Sequence, residues 1–285
     1  MNEKEMIQLY QRNWHYRSTF NNLEDEEQGF VYYLAKKYNS WILPDLEIFN
    51  LDHHNKILKI LNTFNPEVLR NAFALFAGGT LLALEYDEYR LSKDIHFIFP
   101  YGIQHYRYLK NLIYDNGIAA LFTNTTNIKL GDSTTNQYGI RFPVTVNGTT
   151  IKVEIIANGN FNLDPPVYPQ WANIPCLSIS DRFTSKLMAN ADRWNDASNQ
   201  SRDLIDLAIL RINHDMPVNV ITKAEATYEV RSPLMRAINQ FLEKPEYSHK
   251  CFDGLSVTQE KIPIIMDGIN LLNVDFTKDI STHQK

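Results

Sequence analysis

The sequence has little cysteine and no long apolar run. Its 285 residues include two cysteines, Cys176 and Cys251, which are too few for a disulfide scaffold or a cysteine-based zinc site. No segment approaches the roughly 20 consecutive apolar residues that a membrane-spanning helix needs. The first residues are polar and acidic, unlike a secretion signal. We therefore expect a cytoplasmic protein with reduced thiols and no membrane segment.

The chain also lacks an excess of positive charge. Its formal net charge is −5 at pH 7, so no global basic field indicates nucleic acid, although a local basic groove can still attract it. The sequence contains no Gly-x-Ser-x-Gly elbow, no His-Glu-x-x-His motif and no Walker loop, so a hydrolase or a metal-storage protein fits poorly. The hydrophobic content of 44% is ample for a core.

The most informative stretch covers residues 73–99. The apolar run at residues 73–76 predicts a buried strand, and Gly78-Gly79 after it predicts a sharp turn that a ligand can approach closely. Thr80 occupies the predicted N-cap of a helix, where unpaired N–H groups favour an anion such as phosphate. We expect this helix to end near Leu91.

A segment with a strand pattern follows that helix. Asp94-Ile95-His96 alternates polar and apolar residues and leads into Phe97-Ile98-Phe99. Residues i and i+2 of a strand project from the same face, so Asp94 and His96 are expected side by side. On the sequence alone, His96 can also be a strand histidine that a polar neighbour satisfies.

Asn147-Gly148 is the strongest hairpin signal in the chain, because this dipeptide suits a tight turn between strands. The predicted arms are residues 140–146 and 149–156. On the second arm, Lys152 and Glu154 alternate with apolar residues and share one face. On the sequence alone, Glu154 can also be a solvent-facing strand residue that pairs with a neighbouring lysine.

The C-terminal part predicts mainly helices. Ser180 is the predicted cap of a helix that carries Lys186, and the next helix begins with Arg202-Asp203-Leu204-Ile205-Asp206. Asp203 and Asp206 share one face at i and i+3, so their roles cannot be separated by sequence. Both can simply complement the helix dipole, or Asp203 can pair with Arg202 or Arg193. Further helices are predicted over residues 221–230, 234–242 and 262–272.

The predicted organisation has three parts. A proline-rich loop over residues 165–175 is the best boundary signal. The parts are an N-terminal helical segment packed on the core, the core itself and a helical C-terminal domain, over residues 1–70, 71–165 and 166–285. The His53-His54 pair matches no metal motif, and we interpret both histidines as solvated.

Two blocks of the sequence resemble one known family. The first combines Gly78-Gly79-Thr80 with Arg90-x-Ser92-x-Asp94-Ile95-His96. The second places Lys186 and Arg193 ahead of Arg202-Asp203-x-x-Asp206-Leu207. Together they resemble the AbiEii/AbiGii-like toxins, within the nucleotidyltransferase fold of the DNA polymerase β superfamily. The resemblance implies an α+β protein with a mixed nucleotidyltransferase-type sheet, flanking helices and a helical C-terminal domain.

The resemblance also implies a set of site residues. Nucleotidyl transfer uses acidic ligands for one or two Mg²⁺ or Mn²⁺ ions that bridge phosphate oxygens. The implied metal ligands are Asp94, His96 and Glu154. The implied contacts to a nucleoside triphosphate are Gly78, Gly79, Thr80, Arg90, Ser92 and Lys186. The implied catalytic residues are Asp94, Glu154 and Lys186, with Asp203 or Asp206 in support.

His96 stands where the family typically has a second aspartate, and this leaves alternatives open. One is a nucleotidyltransferase toxin, restrained by a cognate antitoxin, whose acceptor in the family can be tRNA. Another is a nucleotide- or RNA-binding relative without transfer chemistry, since a lost carboxylate weakens binding of hard cations. Imidazole suits Mn²⁺, Zn²⁺ or Fe²⁺ better than Mg²⁺. His96 can also be a general base, because histidine titrates near neutral pH.

Overall fold

The computed structural model describes residues 2–16, 23, 25–43, 46 and 48–282. Within these ranges the chain forms a six-stranded mixed sheet surrounded by helices, so the predicted α+β class is confirmed. The strands are β1 (Leu75–Ala77), β2 (Ile95–Pro100), β3 (Lys129–Leu130), β4 (Thr134–Asn136), β5 (Gly139–Val146) and β6 (Thr149–Asn158). The helices are α1 (Glu3–Asn13), α2 (Asp25–Lys37), α3 (Asp52–Leu61), α4 (Pro66–Asn71), α5 (Gly78–Glu85), α6 (Ile103–Asn116), α7 (Ile179–Arg193), α8 (Arg202–Asn213), α9 (Asn219–Glu225), α10 (Arg231–Glu243), α11 (Pro245–Gly254) and α12 (Ile262–Thr282).

The sheet has the order β1-β2-β6-β5-β3, with β4 also paired to β5. Strand β2 pairs antiparallel with β1 and parallel with β6, while β6 pairs antiparallel with β5. The parallel register makes His96 the direct partner of Glu154. Two polar residues that are far apart in sequence therefore lie beside each other on the sheet.

The β5–β6 hairpin confirms the prediction from Asn147-Gly148. These residues have φ of 47° and 74°, the left-handed values that a type I′ turn requires at both central positions. The inward residues Ile151, Val153 and Ile155 of β6 are buried. Because side chains alternate along a strand, Lys152 and Glu154 project from the other face.

Two hydrophobic cores occupy the described ranges. The first joins helices α1–α4 to the sheet and continues to Leu177, and the second is formed mainly by α7–α12. Helix α5 contributes Leu81 and Leu84 to the first core but Leu82 and Ala83 to the second. The helix that follows the glycine pair is therefore fixed from both sides. The exact domain boundaries stay a prediction.

The elements around the glycine pair differ from their predicted bounds. Strand β1 covers residues 75–77 rather than 73–76, since Phe73 has a left-handed φ of 49°. Ala77, and not Thr80, is the N-cap of α5. The helix ends at Glu85 instead of near Leu91, because Asp87 and Glu88 have φ of 54° and 48°, which a right-handed helix cannot contain.

Three C-terminal predictions also need correction. The cap of α7 is Ser178 rather than Ser180, because the Ser178 hydroxyl accepts the Asp181 N–H at 3.0 Å. Helix α9 ends at Glu225, earlier than predicted. Helix α11 has no counterpart among the predicted helices, since its buried residues are only Ser248, Cys251 and Phe252. None of the helices in the described ranges is long and apolar enough to cross a membrane.

Candidate functional site

The Gly78-Gly79 turn between β1 and α5 is enclosed by side chains on both sides. Gly78 has a φ of 78°, and a Cβ there would lie 3.5 Å from Cβ of His96. A Cβ on Gly79 would lie 1.8 Å from Nη2 of Arg90, so any side chain there would have to displace Arg90. The N-cap residue, Ala77, has no side-chain acceptor for the first N–H groups of α5. Such N–H groups at a helix start favour an anion.

Thr80 and Ser92 are hydrogen-bonded to each other and to the start of β2. The Thr80 hydroxyl donates to the Asp94 carbonyl at 2.5 Å and accepts from the Ser92 hydroxyl at 2.7 Å. Both residues are buried, whereas Asp94 is exposed just before β2. The two hydroxyls therefore position the Asp94 backbone, and their direct contact with a nucleotide stays a prediction.

His96 and Glu154 form the polar surface beside the turn. Nδ1 of His96 lies 3.9 Å from Oε2 of Glu154. Oε1 of Glu154 lies 2.9 Å from Nε of Arg141 and 3.0 Å from Nζ of Lys152. Burial raises the pKa of Glu154, but the hydrogen bonds from Lys152 and Arg141 outweigh it and hold that pKa below its usual value. Glu154 is therefore ionised at neutral pH.

Several charges around His96 act on its protonation. Burial has the largest effect and lowers the pKa of His96. The carboxylates of Glu154 and Asp94 raise this pKa and the charge of Lys186 lowers it, and the net result is a lowered pKa. The imidazole is therefore neutral at pH 7. Because Asp94, Glu154 and Lys186 all influence one imidazole, the structure brings these three predicted site residues into one neighbourhood.

Asp206 is the centre of a buried ion cluster behind the turn. It accepts the Tyr89 hydroxyl at 2.6 Å and two guanidinium hydrogen bonds from Arg90 at 2.7 and 3.0 Å. Nζ of Lys186 lies 2.6 Å from Oδ2, the oxygen that also accepts the 3.0 Å hydrogen bond from Arg90. Burial raises the pKa of Asp206, but the charges of Arg90 and Lys186 hold it well below its usual range. Asp206 thus ties the segment that carries Arg90 to α7 and α8.

Asp203 has different partners. It lies 3.0 Å from Nζ of Lys186 and accepts hydrogen bonds from Arg193 at 2.6 and 2.9 Å. Burial raises its pKa, and Lys186 and Arg193 lower it below the usual value. The predicted alternative, in which Asp203 pairs with Arg193, is therefore present. Both carboxylates are bound to cations, a geometry suited to support of the site rather than to proton transfer.

Arg202 adds a further positive charge next to this cluster. Its buried Nε has no hydrogen-bond partner among the described residues. Burial lowers the pKa of Arg202, and the nearby charge of Arg193 lowers it further. Arg90, Lys186 and Arg193 form ion pairs with Asp203 and Asp206, and the carboxylate of Asp196 also acts on Arg193 and Arg202.

The predicted metal ligands do not form a protein cage. Across the described residues, no three His, Cys, Asp or Glu side chains are arranged to hold a metal ion. Mg²⁺, however, often binds through one or two carboxylates together with substrate phosphates. Exposed Asp94 and the Glu154 oxygen that faces His96 match that second mode. These donors therefore fit an ion that arrives with a nucleotide.

Two residues near the site were missed by sequence reasoning. Arg141 lies directly opposite Glu154 across the hairpin, and counting outward from the two-residue turn at Asn147-Gly148 would have placed it there. The interpretation of His54 as solvated was wrong, because His54 is 0% exposed. Its Nδ1 lies 2.8 Å from Glu88. No pattern in the sequence indicates that contact.

Comparison with solved structures concerns the fold alone. Among solved structures, JHP933 from Helicobacter pylori shares the fold, with a TM-score of 0.51 and 15% identity over 83% of this chain and 97% of that chain. Another H. pylori protein, provisionally described as a nucleotidyltransferase, has a TM-score of 0.47 and 17% identity over 79% of this chain and 94% of that chain, too weak a likeness for an argument. No curated protein matches the chain.

The family comparison covers more than half of the sequence. The model described as "Nucleotidyl transferase AbiEii toxin, Type IV TA system" matches residues 59–256. This range contains the glycine turn, both strands that carry His96 and Glu154, and the ion cluster on α7 and α8. The chain belongs to the AbiEii nucleotidyltransferase toxin family of type IV toxin–antitoxin systems.

Proposed function

We propose that the protein transfers a nucleotide from a nucleoside triphosphate to an acceptor hydroxyl, with the triphosphate bound at Gly78-Gly79. One observation carries the proposal: the turn lies between a neutral His96 and the buried ion cluster that contains Arg90 and Lys186. Helix N–H groups and fixed cations both stabilise phosphate and the charge that develops on it. Membership of a nucleotidyltransferase family supports this reaction class.

The residues around the turn have separate roles in this proposal. The acceptor oxygen forms a bond to the α-phosphorus, the bond from that phosphorus to the bridging oxygen breaks, and pyrophosphate leaves. His96 takes the acceptor proton, since its lowered pKa keeps the imidazole unprotonated. Lys186 and Arg202 offset the charge of the leaving pyrophosphate. Asp203 and Asp206 hold Lys186 in place.

Asp94 and Glu154 would hold Mg²⁺ or Mn²⁺ together with triphosphate oxygens. A bound ion would supply charge stabilisation at the phosphoryl oxygens. The site residues themselves orient the nucleotide and take the proton.

The acceptor and the partner follow from the family. We propose tRNA as the acceptor, on the strength of the family resemblance. Type IV toxin–antitoxin membership implies a cognate antitoxin that restrains the toxin. The cytoplasm, where nucleoside triphosphates and tRNA are found, is the proposed location.

A second candidate function is nucleotide or RNA binding without transfer. The observation that favours it is the pairing of Glu154 with both Arg141 and Lys152. Together with a histidine at position 96, this pairing leaves less negative charge for a hard cation. Such a protein would bind a nucleotide at the turn and release it unchanged.

One experiment separates the two functions. Purified protein is incubated with each labelled nucleoside triphosphate in turn, with Mg²⁺ or Mn²⁺ and total tRNA. If the protein is a transferase, the RNA becomes labelled, and Asp94→Ala abolishes the labelling. The control Asp132→Ala, whose exposed carboxylate lies between β3 and β4, should still label the RNA. Tight nucleotide binding without labelled product supports the binding protein. Label that persists in Asp94→Ala contradicts the proposed site.

A further inference from the structure

The segment between α5 and β2, residues 86–94, is hydrogen-bonded to residues at the start of α3, and His54 makes two of these contacts, while His53 lies 3.2 Å from the Lys93 carbonyl. His54 lies in the first turn of α3 and is 0% exposed. Its Nδ1 lies 2.8 Å from Oε1 of Glu88, and its Nε2 accepts the Ser92 N–H at 3.1 Å. Both partners belong to the same segment, so one imidazole ring holds it at two points.

These hydrogen bonds determine the tautomer of His54. Because Nε2 accepts from a backbone N–H, the ring proton is on Nδ1, which donates to Glu88. Burial raises the pKa of Glu88, but hydrogen bonds from His54 and from the N–H groups of Leu51 and Asn50 hold it below its usual value. A neutral imidazole therefore lies between an ionised carboxylate and a peptide amide.

Glu88 also fixes the backbone on both sides of this contact. Its carboxylate accepts the Asn50 N–H at 2.6 Å and the Leu51 N–H at 3.0 Å, at the start of α3. Asp87 and Glu88 both have left-handed φ, which is unfavourable for residues with a side chain. Two such residues in a row persist only where surrounding contacts enforce them.

Ser92 connects the His54–Glu88 pair to the site. Its hydroxyl donates to Thr80, and Thr80 donates to the Asp94 carbonyl. A continuous chain of hydrogen bonds thus runs from Glu88 through His54, Ser92 and Thr80 to the backbone of Asp94. The backbone of Asp94, whose carboxylate is exposed, is therefore held in place partly by His54 and Glu88, which lie outside the glycine turn.

We propose that the His54–Glu88 pair is a positioning device for Asp94, acting through the Ser92 N–H. His54 lies outside residues 59–256, the range that matches the family, so family membership assigns it no role. The effect on transfer rests on the proposed function, whereas the effect on the segment does not. His54 is a positioning residue and not a catalytic one.

The tautomer is tested in the wild-type protein by ¹⁵N NMR of the histidine side chains. At pH 7 we expect Nε2 of His54 to have the shift of an unprotonated nitrogen and Nδ1 that of a protonated one. An Nε2–H tautomer or a doubly protonated ring overturns the proposal. This measurement requires neither a variant nor an active enzyme.

Variants test the consequence for the segment and for transfer. His54→Phe removes both hydrogen bonds, and His54→Gln keeps an oxygen that can accept the Ser92 N–H. We expect His54→Phe to speed amide exchange at residues 88–94 and to lower kcat by roughly 10- to 100-fold with a smaller change in KM. We expect His54→Gln to change the amide exchange and kcat less than His54→Phe does. The exposed His249→Gln, on α11, should change neither.

The outcomes separate this proposal from the proposed function. Unchanged amide exchange at residues 88–94 in folded His54→Phe overturns the positioning role. If the wild type transfers no nucleotide, the proposed function fails, while the NMR and exchange results still decide the role of His54. If His54→Phe does not fold, the wild-type tautomer and the His54→Gln exchange rates decide it.

Discussion

His96 on β2 and Glu154 on β6 are direct partners in a parallel strand pair, with Nδ1 3.9 Å from Oε2. The pair joins a neutral imidazole to an ionised carboxylate next to the exposed Asp94. Arg141 and Lys152 already compensate the charge of Glu154. His96 is therefore available to take a proton.

Replacement of His96 tests this role directly. If His96 is the base, His96→Ala and His96→Asp both lower kcat at pH 7, by about 10²- to 10⁴-fold for the alanine variant. Initial rates of label transfer to RNA, in Mg²⁺ and in Mn²⁺, measure the effect. The exposed His249→Asp on α11 serves as control. Higher Mg²⁺-dependent transfer in His96→Asp would instead identify the histidine as an impairment.

The pH dependence of transfer should report the same group. The pKa of His96 lies below the usual value of about 6.5, so the base form predominates at pH 7. We expect kcat/KM to be lost only as the pH falls through that lowered pKa, and to stay level above it. Measurement from about pH 5 to 8 suits a histidine. If kcat/KM is lost at the same low pH in His96→Ala, the titrating group is not His96.

Gly79→Ala should disrupt the turn because the added Cβ would lie too close to Arg90. The new Cβ would lie 1.8 Å from Nη2 of Arg90, so Arg90 must move away from Asp206. We expect the free energy of unfolding to fall by about 1–3 kcal/mol, as for overpacked interiors. Urea denaturation measures this change, and nucleotide binding should weaken with it.

Gly29→Ala is the matched control for that variant. Gly29 lies in α2, and a Cβ there meets no atom of the described residues within 4 Å. Alanine in a helix interior is favoured over glycine by roughly 0.5–1 kcal/mol, so this variant should be slightly more stable. Equal stability of the two variants would contradict the crowding of Gly79.

Asp206→Asn should be among the most destabilising substitutions near the site. It leaves the buried cations Arg90 and Lys186 without their shared carboxylate. Breaking a buried ion pair by removing one partner costs about 3–5 kcal/mol. Urea denaturation at pH 7 tests this. Asp215→Asn, whose side chain is 97% exposed, should change the free energy of unfolding little.

The pH dependence of that difference has a definite sign. The folded pKa of Asp206 is depressed below its unfolded value, so its stabilisation is complete above the unfolded pKa of about 3.9 and is lost as the pH falls through the folded pKa. The wild type and Asp206→Asn should thus differ fully at pH 7 and become more alike in strong acid. A difference that grows on acidification would contradict the ionised state of Asp206.

Parts of the fold follow from local patterns. Asn147-Gly148 predicts the hairpin because few residues adopt two successive left-handed conformations. The alternation in β6 predicts which face carries Glu154. The glycine pair predicts the turn before α5. In each case a short sequence favours one backbone geometry, and no distant residue is needed.

Other features depend on contacts that no local pattern contains. Helix α5 ends at Glu85 because Glu88 is held by His54 and by the start of α3. Helix α11 buries only Ser248, Cys251 and Phe252, and it is stabilised by the packing of Cys251 and Phe252 in the second core. His54 has the sequence context of a surface residue, yet the segment before β2 covers it completely.

By itself the sequence determined the family and the fold class, because these depend on motif spacing and on the period of apolar residues. Only the tertiary structure decided that β2 and β6 run parallel, that His96 faces Glu154, and that Asp206 rather than Asp203 holds Arg90. The physical reason is that strand register and buried ion pairs minimise the free energy of the whole packed chain. The partners are distant in sequence, since Arg90 and Asp206 are 116 positions apart.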